Sequence, residues 1–153
     1  MATTTASFTL NSPDILSNAI SLSSIATLYN GGTTSTGLTQ IKSGRVNVYV
    51  TGASFDLIPA LASEEAGAVN SYVYISNKNT DKANYVNISI YNEVIGRLYG
   101  GDWMFIPYEQ NDPAADNGSD NDIEVEALVG GPQAIEWIMF TESTVTILDA
   151  SGD

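Results

Sequence analysis

The chain has 153 residues, enough for one well-buried core and too few for two. It contains neither histidine nor cysteine, which removes imidazole and thiolate catalysis, the metal sites built on them, and disulfides. Eighteen acids against five bases leave a net charge of −13, a field that repels nucleic-acid backbones and anionic lipid surfaces.

Residues Ala2 to Leu10 are uncharged and rich in Thr and Ser. They hold too few apolar groups to stay ordered alone. Residues 1–12 therefore read as an extended arm that adds its backbone to an edge of a neighbouring subunit, anchored by Phe8 and Leu10. Ser12-Pro13-Asp14 resembles an N-cap, a proline at the first helical position and an acid in the first turn. With Ile15, Leu16, Ala19 and Ile20 it allows one short N-terminal helix, with an extended lead-in as the rival reading.

A single domain then spans 13–150. From Ile20 the apolar period is two, with Ile20, Leu22, Ala26 and Leu28 on one face. Asn30-Gly31-Gly32 turns the chain. Leu38 to Ile41 and Val46, Val48, Val50 continue the pattern, separated by a turn at Ser43-Gly44. Phe55 to Leu61 contains Pro59, which makes it an edge strand or a covering loop.

Val73 and Ile75 point one way, as do Val86, Ile88 and Ile90 after the loop from Asn77 to Asn84. Val94 to Leu98 and Trp103 to Tyr108 read as a β-hairpin folded at Gly100-Gly101. After a polar loop from Glu109 to Asn121, Ile123, Val125, Ala127 and Val129 share a face. Gly130-Gly131-Pro132 leads into Ile135 to Thr141, and Val145 to Leu148 closes the series. Roughly ten short strands separated by turn signals predict an all-β antiparallel β-sandwich, jelly-roll-like or immunoglobulin-like.

Two strands depart from the one-face pattern of a sandwich: Trp103 to Tyr108 is apolar on both sides, and Ile135 to Phe140 nearly so. Such strands are covered by a loop of their own chain or by another subunit. Phe8, Leu10, Trp103, Phe105 and Trp137 are accordingly the candidate interface residues.

No catalytic, cofactor-binding or metal-binding residue is assigned. Asp122, Glu124 and Glu126 alternate outward, as a solvated ladder does rather than an acid/base pair. The acidic loop from Asp112 to Asp122 carries oxygen ligands but not the order of a calcium-binding EF-hand, and reads as a solvated loop. Tyr72/Tyr74 and Tyr85/Tyr91 lie on polar faces and are the candidates for a sugar-stacking platform. No apolar run approaches membrane-spanning length. The N-terminus lacks the basic and apolar regions of a secretion signal.

Four motifs occur in order: Tyr-Ile-x-Asn (Tyr74 to Asn77), Tyr-Val-x-Ile (Tyr85 to Ile88), Ile-Gly-Arg-Leu with Gly-x-Trp-x-Phe-x-Pro (Ile95 to Pro107), and Ile-Glu-Trp-x-x-Phe (Ile135 to Phe140). With them the chain resembles small virion structural proteins of tailed bacteriophages, particularly marine and cyanobacterial phages. The resemblance covers roughly half the chain, from Tyr72 onward. It implies a β-sandwich assembled on the particle, as a capsid decoration or cement protein or as a neck or tail component. The expected protein is non-enzymatic, made in the host cytoplasm and carried on the outer virion surface. It needs no cofactor, nucleic acid or membrane. Its expected partners are further copies of itself, a trimer being favoured, and a major capsid or neck/tail protein. The alternative is a carbohydrate- or receptor-binding sandwich of a tail or head fibre.

Overall fold

The computed structural model describes residues 3–13, 20–29, 37–38, 40–59, 61–62, 70–109, 111–112 and 121–141. Among the described residues there are twelve strands: β1 (Thr4–Ser12), β2 (Ile20–Leu28), β3 (Gln40–Val48), β4 (Phe55–Ile58), β5 (Leu61–Ala62), β6 (Asn70–Asn77), β7 (Tyr85–Ile90), β8 (Glu93–Tyr99), β9 (Trp103–Glu109), β10 (Asn111–Asp112), β11 (Ile123–Val129) and β12 (Gln133–Thr141). No helix occurs among the described residues. The short helix expected after Pro13 falls on residues 14–19, outside them, and Ile20 already begins β2.

Eight of the strands form two four-stranded antiparallel sheets. The front sheet has the order β3-β12-β6-β9 and the back sheet β4-β11-β7-β8. Read across the two sheets, every strand occupies the position matching that of a sequence neighbour: β3 with β4, β12 with β11, β6 with β7, and β9 with β8. The chain therefore shuttles between sheets, and this double Greek-key winding is the jelly roll. The alternation read from the sequence fills the space between the layers. Val73, Ile75, Ile135, Trp137 and Met139 come from the front sheet, and Val86, Ile88, Ile123, Val125 and Ala127 from the back. Val129, expected on the same face, is exposed, because the ladder to β7 shifts register between Ala127 and Val129.

Two glycine signals have other meanings than the turns they suggest. Gly44 lies in the middle of β3, opposite Trp137 of β12. A Cβ at Gly44 would stand 2.8 Å from Trp137 Nε1 and 3.0 Å from Cε2, so the glycine makes room for the indole. Gly100-Gly101 does not close a hairpin: β8 pairs with β7 and β9 with β6. The turn instead carries the chain from back sheet to front, with Gly101 at φ +90°. The nearby hairpin is β7–β8, turned by Tyr91-Asn92 with φ values of 58° and 60°, the positive pair of a type I′ turn. Phe55–Ile58 behaves as the proline-bounded edge strand that the sequence allowed, pairing among the described residues with β11 alone.

Close packing of turns gives a direct prediction. A Cβ at Gly100 would run into the carbonyl oxygens of Asp81 and Asn79. Gly100→Ala should therefore cost about 1–3 kcal/mol, as overpacking against rigid neighbours does. Thermal unfolding followed by circular dichroism checks it.

Outside the sandwich, β1 and β2 form an antiparallel hairpin. The arm expected to add to a neighbouring subunit is thus paired within its own chain. The reason lies in the sequence: Ile20 to Leu28 carries the same two-residue period and offers β1 a ladder over its full length, Thr4 with Leu28 through Ser12 with Ile20. β5 and β10 make a short parallel pair. The closing strand expected at Val145 to Leu148 lies outside the described residues.

Candidate functional site

Two surfaces stand out, one on each outer face of the sandwich, and both follow from strand period. On the front sheet the inward positions are filled by the core, and the outward positions of adjacent strands lie side by side. Tyr72 of β6 stands opposite Phe140 of β12 and Pro107 of β9, and Tyr74 stands opposite Ile138 and Phe105. Tyr72 stacks on Phe105 with centroids 5.7 Å apart and planes 7° apart, and Tyr74 meets Trp103 at 6.0 Å. The outward side of three strands is thereby one aromatic and aliphatic surface. Ile41 of β3, opposite Phe140, extends it to the fourth strand and is itself exposed. Polar residues flank the patch at one end, where Lys78 Nζ lies 3.3 Å from a Glu136 carboxylate oxygen.

The hairpin stands over this surface and leaves an apolar groove of about 500 Å³ between them. One wall is Tyr74, Trp103, Phe105, Ile138 and Phe140; the other includes Ala6, Phe8, Ala26 and Leu28. Leu28 is buried at the base of the hairpin. Toward the tip the hairpin emerges: Phe8, Leu10, Ile20 and Leu22 are between 40% and 50% exposed. They lie on the same face of the hairpin, in the register Phe8 with Ser24, Leu10 with Leu22 and Ser12 with Ile20. The opposite face is largely polar and is laced by a hydrogen bond from Ser21 Oγ to Asn11 Oδ1, 2.8 Å.

The five candidate interface residues divide. Phe8 and Leu10 lie on the exposed hairpin face, Trp103 is 53% exposed on the front patch, and Phe105 is half-buried beside it. Trp137 is only 3% exposed. Its side chain points between the sheets at the next alternate position from Ile135 and Met139, so it is a core residue and not a surface anchor. Sequence reading missed Tyr72, Tyr74 and Phe140 as members of the patch. The available signal was cross-strand position, which becomes visible only once the order β12-β6-β9 is known.

The back sheet presents different chemistry. Tyr85 and Tyr99 stand opposite each other with centroids 5.3 Å apart, and the Arg97 guanidinium lies 4.1 Å above the Tyr85 ring. Arg97 Nε donates to Asn87 Oδ1 at 3.1 Å. Glu124 and Glu126 alternate outward on β11, and Glu124 accepts a 2.7 Å hydrogen bond from Ser54 Oγ. No group of three or more acidic side chains among the described residues is arranged to hold a metal ion. Residues 113–120 of the candidate calcium loop lie outside them. Tyr91 occupies the β7–β8 turn, away from the Tyr85–Tyr99 pair along the strand.

Compared with known proteins, the chain matches no family model, and no curated protein shows significant sequence similarity to it.

Proposed function

We propose that this chain is a non-enzymatic virion structural protein, a decoration or cement protein that assembles on the outer particle surface through subunit contacts. The observation that carries the reading is the front-sheet patch with its overhanging hairpin. Monomeric proteins rarely leave an extended apolar surface uncovered, and such surfaces mark protein contacts. The motif resemblance to tailed-phage virion proteins points the same way, and the jelly roll is an architecture that viral capsid proteins share. Fold likeness is analogy and supports without deciding. A net charge of −13 suits the outside of a DNA-filled shell better than its lining.

Particles purified through a density gradient should contain the protein in many copies, accessible to antibody without opening the shell. Its absence from such particles, or protection from antibody until the shell is disrupted, contradicts the reading.

A second reading, a carbohydrate- or receptor-binding sandwich, is favoured by the back sheet. There an aromatic pair adjoins the hydrogen-bonding groups of Arg97 and Asn87. Ring faces beside polar groups are what a sugar needs. The tyrosines that matter would be Tyr85 and Tyr99 rather than Tyr72 and Tyr74, which pack among front-sheet aromatics. Glycan-array binding lost on Tyr99→Ala, with particle attachment unchanged, would support it.

A further inference from the structure

We infer that the β1–β2 hairpin is an assembly arm whose apolar half docks in the front-sheet groove of a second copy of this chain. The inference names the partner for the assembling role proposed above and rests on that role, but not on its location in a virion.

Three observations select a second copy as the occupant. The first is that one chain cannot satisfy both halves of its own hairpin face. The base half, from Thr4 to Phe8 and Ser24 to Leu28, borders the chain's own groove. Leu10, Leu22 and Ile20 continue the same face but are not part of that lining, and they stay exposed. An isolated two-stranded hairpin is marginally stable in water and gains from cover on its apolar side.

The second is the groove itself. Protein interiors are close-packed, with few voids larger than a water molecule. A gap of about 500 Å³ between the aromatic front sheet and a hairpin wall where Ala6, Phe8, Ala26 and Leu28 alternate with Thr and Ser is therefore a seat for apolar side chains. The hairpin tip supplies leucine and isoleucine of that kind, Leu10, Leu22 and Ile20, on every copy. Docking also places partner backbone near β1 and β2, each of which has one edge with no strand paired to it among the described residues.

The third is charge. Copies carrying −13 each repel, and they can approach closely only through surfaces that hold none of that charge. Thr3 to Pro13 and Ile20 to Tyr29 contain no ionisable acid or base, and neither do the groove residues Tyr74, Trp103, Phe105, Ile138 and Phe140, apart from tyrosine hydroxyls. The two neutral apolar surfaces are thus matched to one another. An arm-into-groove contact joins different surfaces on the two copies, and it closes as a ring or as a reciprocal exchange.

The test uses the purified full chain, so it is independent of particle attachment. Sedimentation should show wild type as an oligomer. Leu10→Asp, on the arm, and Trp103→Asp, in the groove, should each sediment as a monomer with an unchanged far-ultraviolet spectrum. Mixing the two variants should restore a 1:1 heterodimer, because one supplies an intact groove and the other an intact arm. Raising salt should strengthen wild-type association by screening the like charges.

Because the chain has no cysteine, trapping provides a second readout. Separately tagged Leu22→Cys and Ile138→Cys chains, mixed and oxidised, should form a disulfide between the two tags. Ile25→Cys, on the opposite face of the hairpin, should not. A wild-type monomer at about 100 μM, weaker than most assembling contacts, would overturn the inference. So would an oligomer untouched by Leu10→Asp, or a mixture in which neither heterodimer nor tag-to-tag disulfide forms. Loss of particle attachment with oligomerisation intact would instead count against the virion role alone.

Discussion

Trp137→Ala should lower stability by about 3–5 kcal/mol, the usual cost of deleting a large buried aromatic. For a chain of this length that corresponds to a drop of roughly 6–20 °C in Tm. The indole lies between the sheets, 3% exposed, on the strand at the centre of the front sheet. It occupies the space above Gly44 that a side chain on β3 would otherwise fill. The surrounding ladder pairs β12 with β3 on one side and β6 on the other, which limits collapse into the cavity. The two positions are coupled, and a double-mutant cycle exposes the coupling. Gly44→Ala alone should destabilise by about 1–3 kcal/mol through overpacking. In the Trp137→Ala background the same substitution should become neutral or stabilising. Denaturant unfolding of the four proteins measures all the terms, and additive losses would show that the indole does not depend on the glycine.

The second large effect is expected at Asn77. Its side chain is fully buried and fastens three segments at one end of the sandwich. Nδ2 donates to the Leu98 carbonyl at 3.1 Å and to Gln133 Oε1 at 3.3 Å, while Oδ1 accepts from the Asn79 backbone N–H at 3.0 Å. Gln133, also fully buried, receives Asn79 Nδ2 at 3.1 Å and donates to the Gly131 carbonyl at 3.0 Å. This network joins the β6–β7, β8–β9 and β11–β12 crossings, on which the alternation between sheets depends. Asn77→Ala removes the partner of several groups that remain buried, at about 1–3 kcal/mol for each one left unsatisfied. A loss of roughly 2–4 kcal/mol follows. Asn77→Leu separates the causes, since it restores volume but not hydrogen bonds. If leucine is as damaging as alanine, the hydrogen bonds dominate. Hydrogen exchange at Gly100 to Asp102 should accelerate in both variants, because Asn77 also holds that turn through its backbone, donating to the Asp102 carbonyl and accepting from Gly101.

The same residues show what could and could not be read in the sequence. The alternation of Val73, Ile75, Val86, Ile88, Ile123 and Val125 reports burial directly, because side-chain direction in a strand has a period of two. The β-sandwich was legible from it. Pairing was not, since period carries no information about which strand lies next to which. Trp103 to Tyr108 was therefore joined to its sequence neighbour β8, when its ladder runs to β6. Gly44 and Gly100 looked alike as turn signals, yet one clears space for an indole within a strand and the other packs beneath two carbonyls. The front-sheet patch was half legible. A strand apolar on both faces announced the patch through Trp103 and Phe105, but Trp137 carried the same signal and belongs to the core. Parity along β12 separates them only when a second buried residue fixes which side faces inward.

The claim that this acidic jelly roll is an outer-surface assembly protein is tested most directly by adding it back. Particles produced from a genome lacking its gene would be incubated with the purified, fluorescently labelled chain, and the bound copies counted as concentration rises. Saturable binding at a fixed ratio to the shell protein, without disruption of the shell, is the expected result. Particles that bind none of it, or take it up only after being opened, would contradict a place on the outer surface.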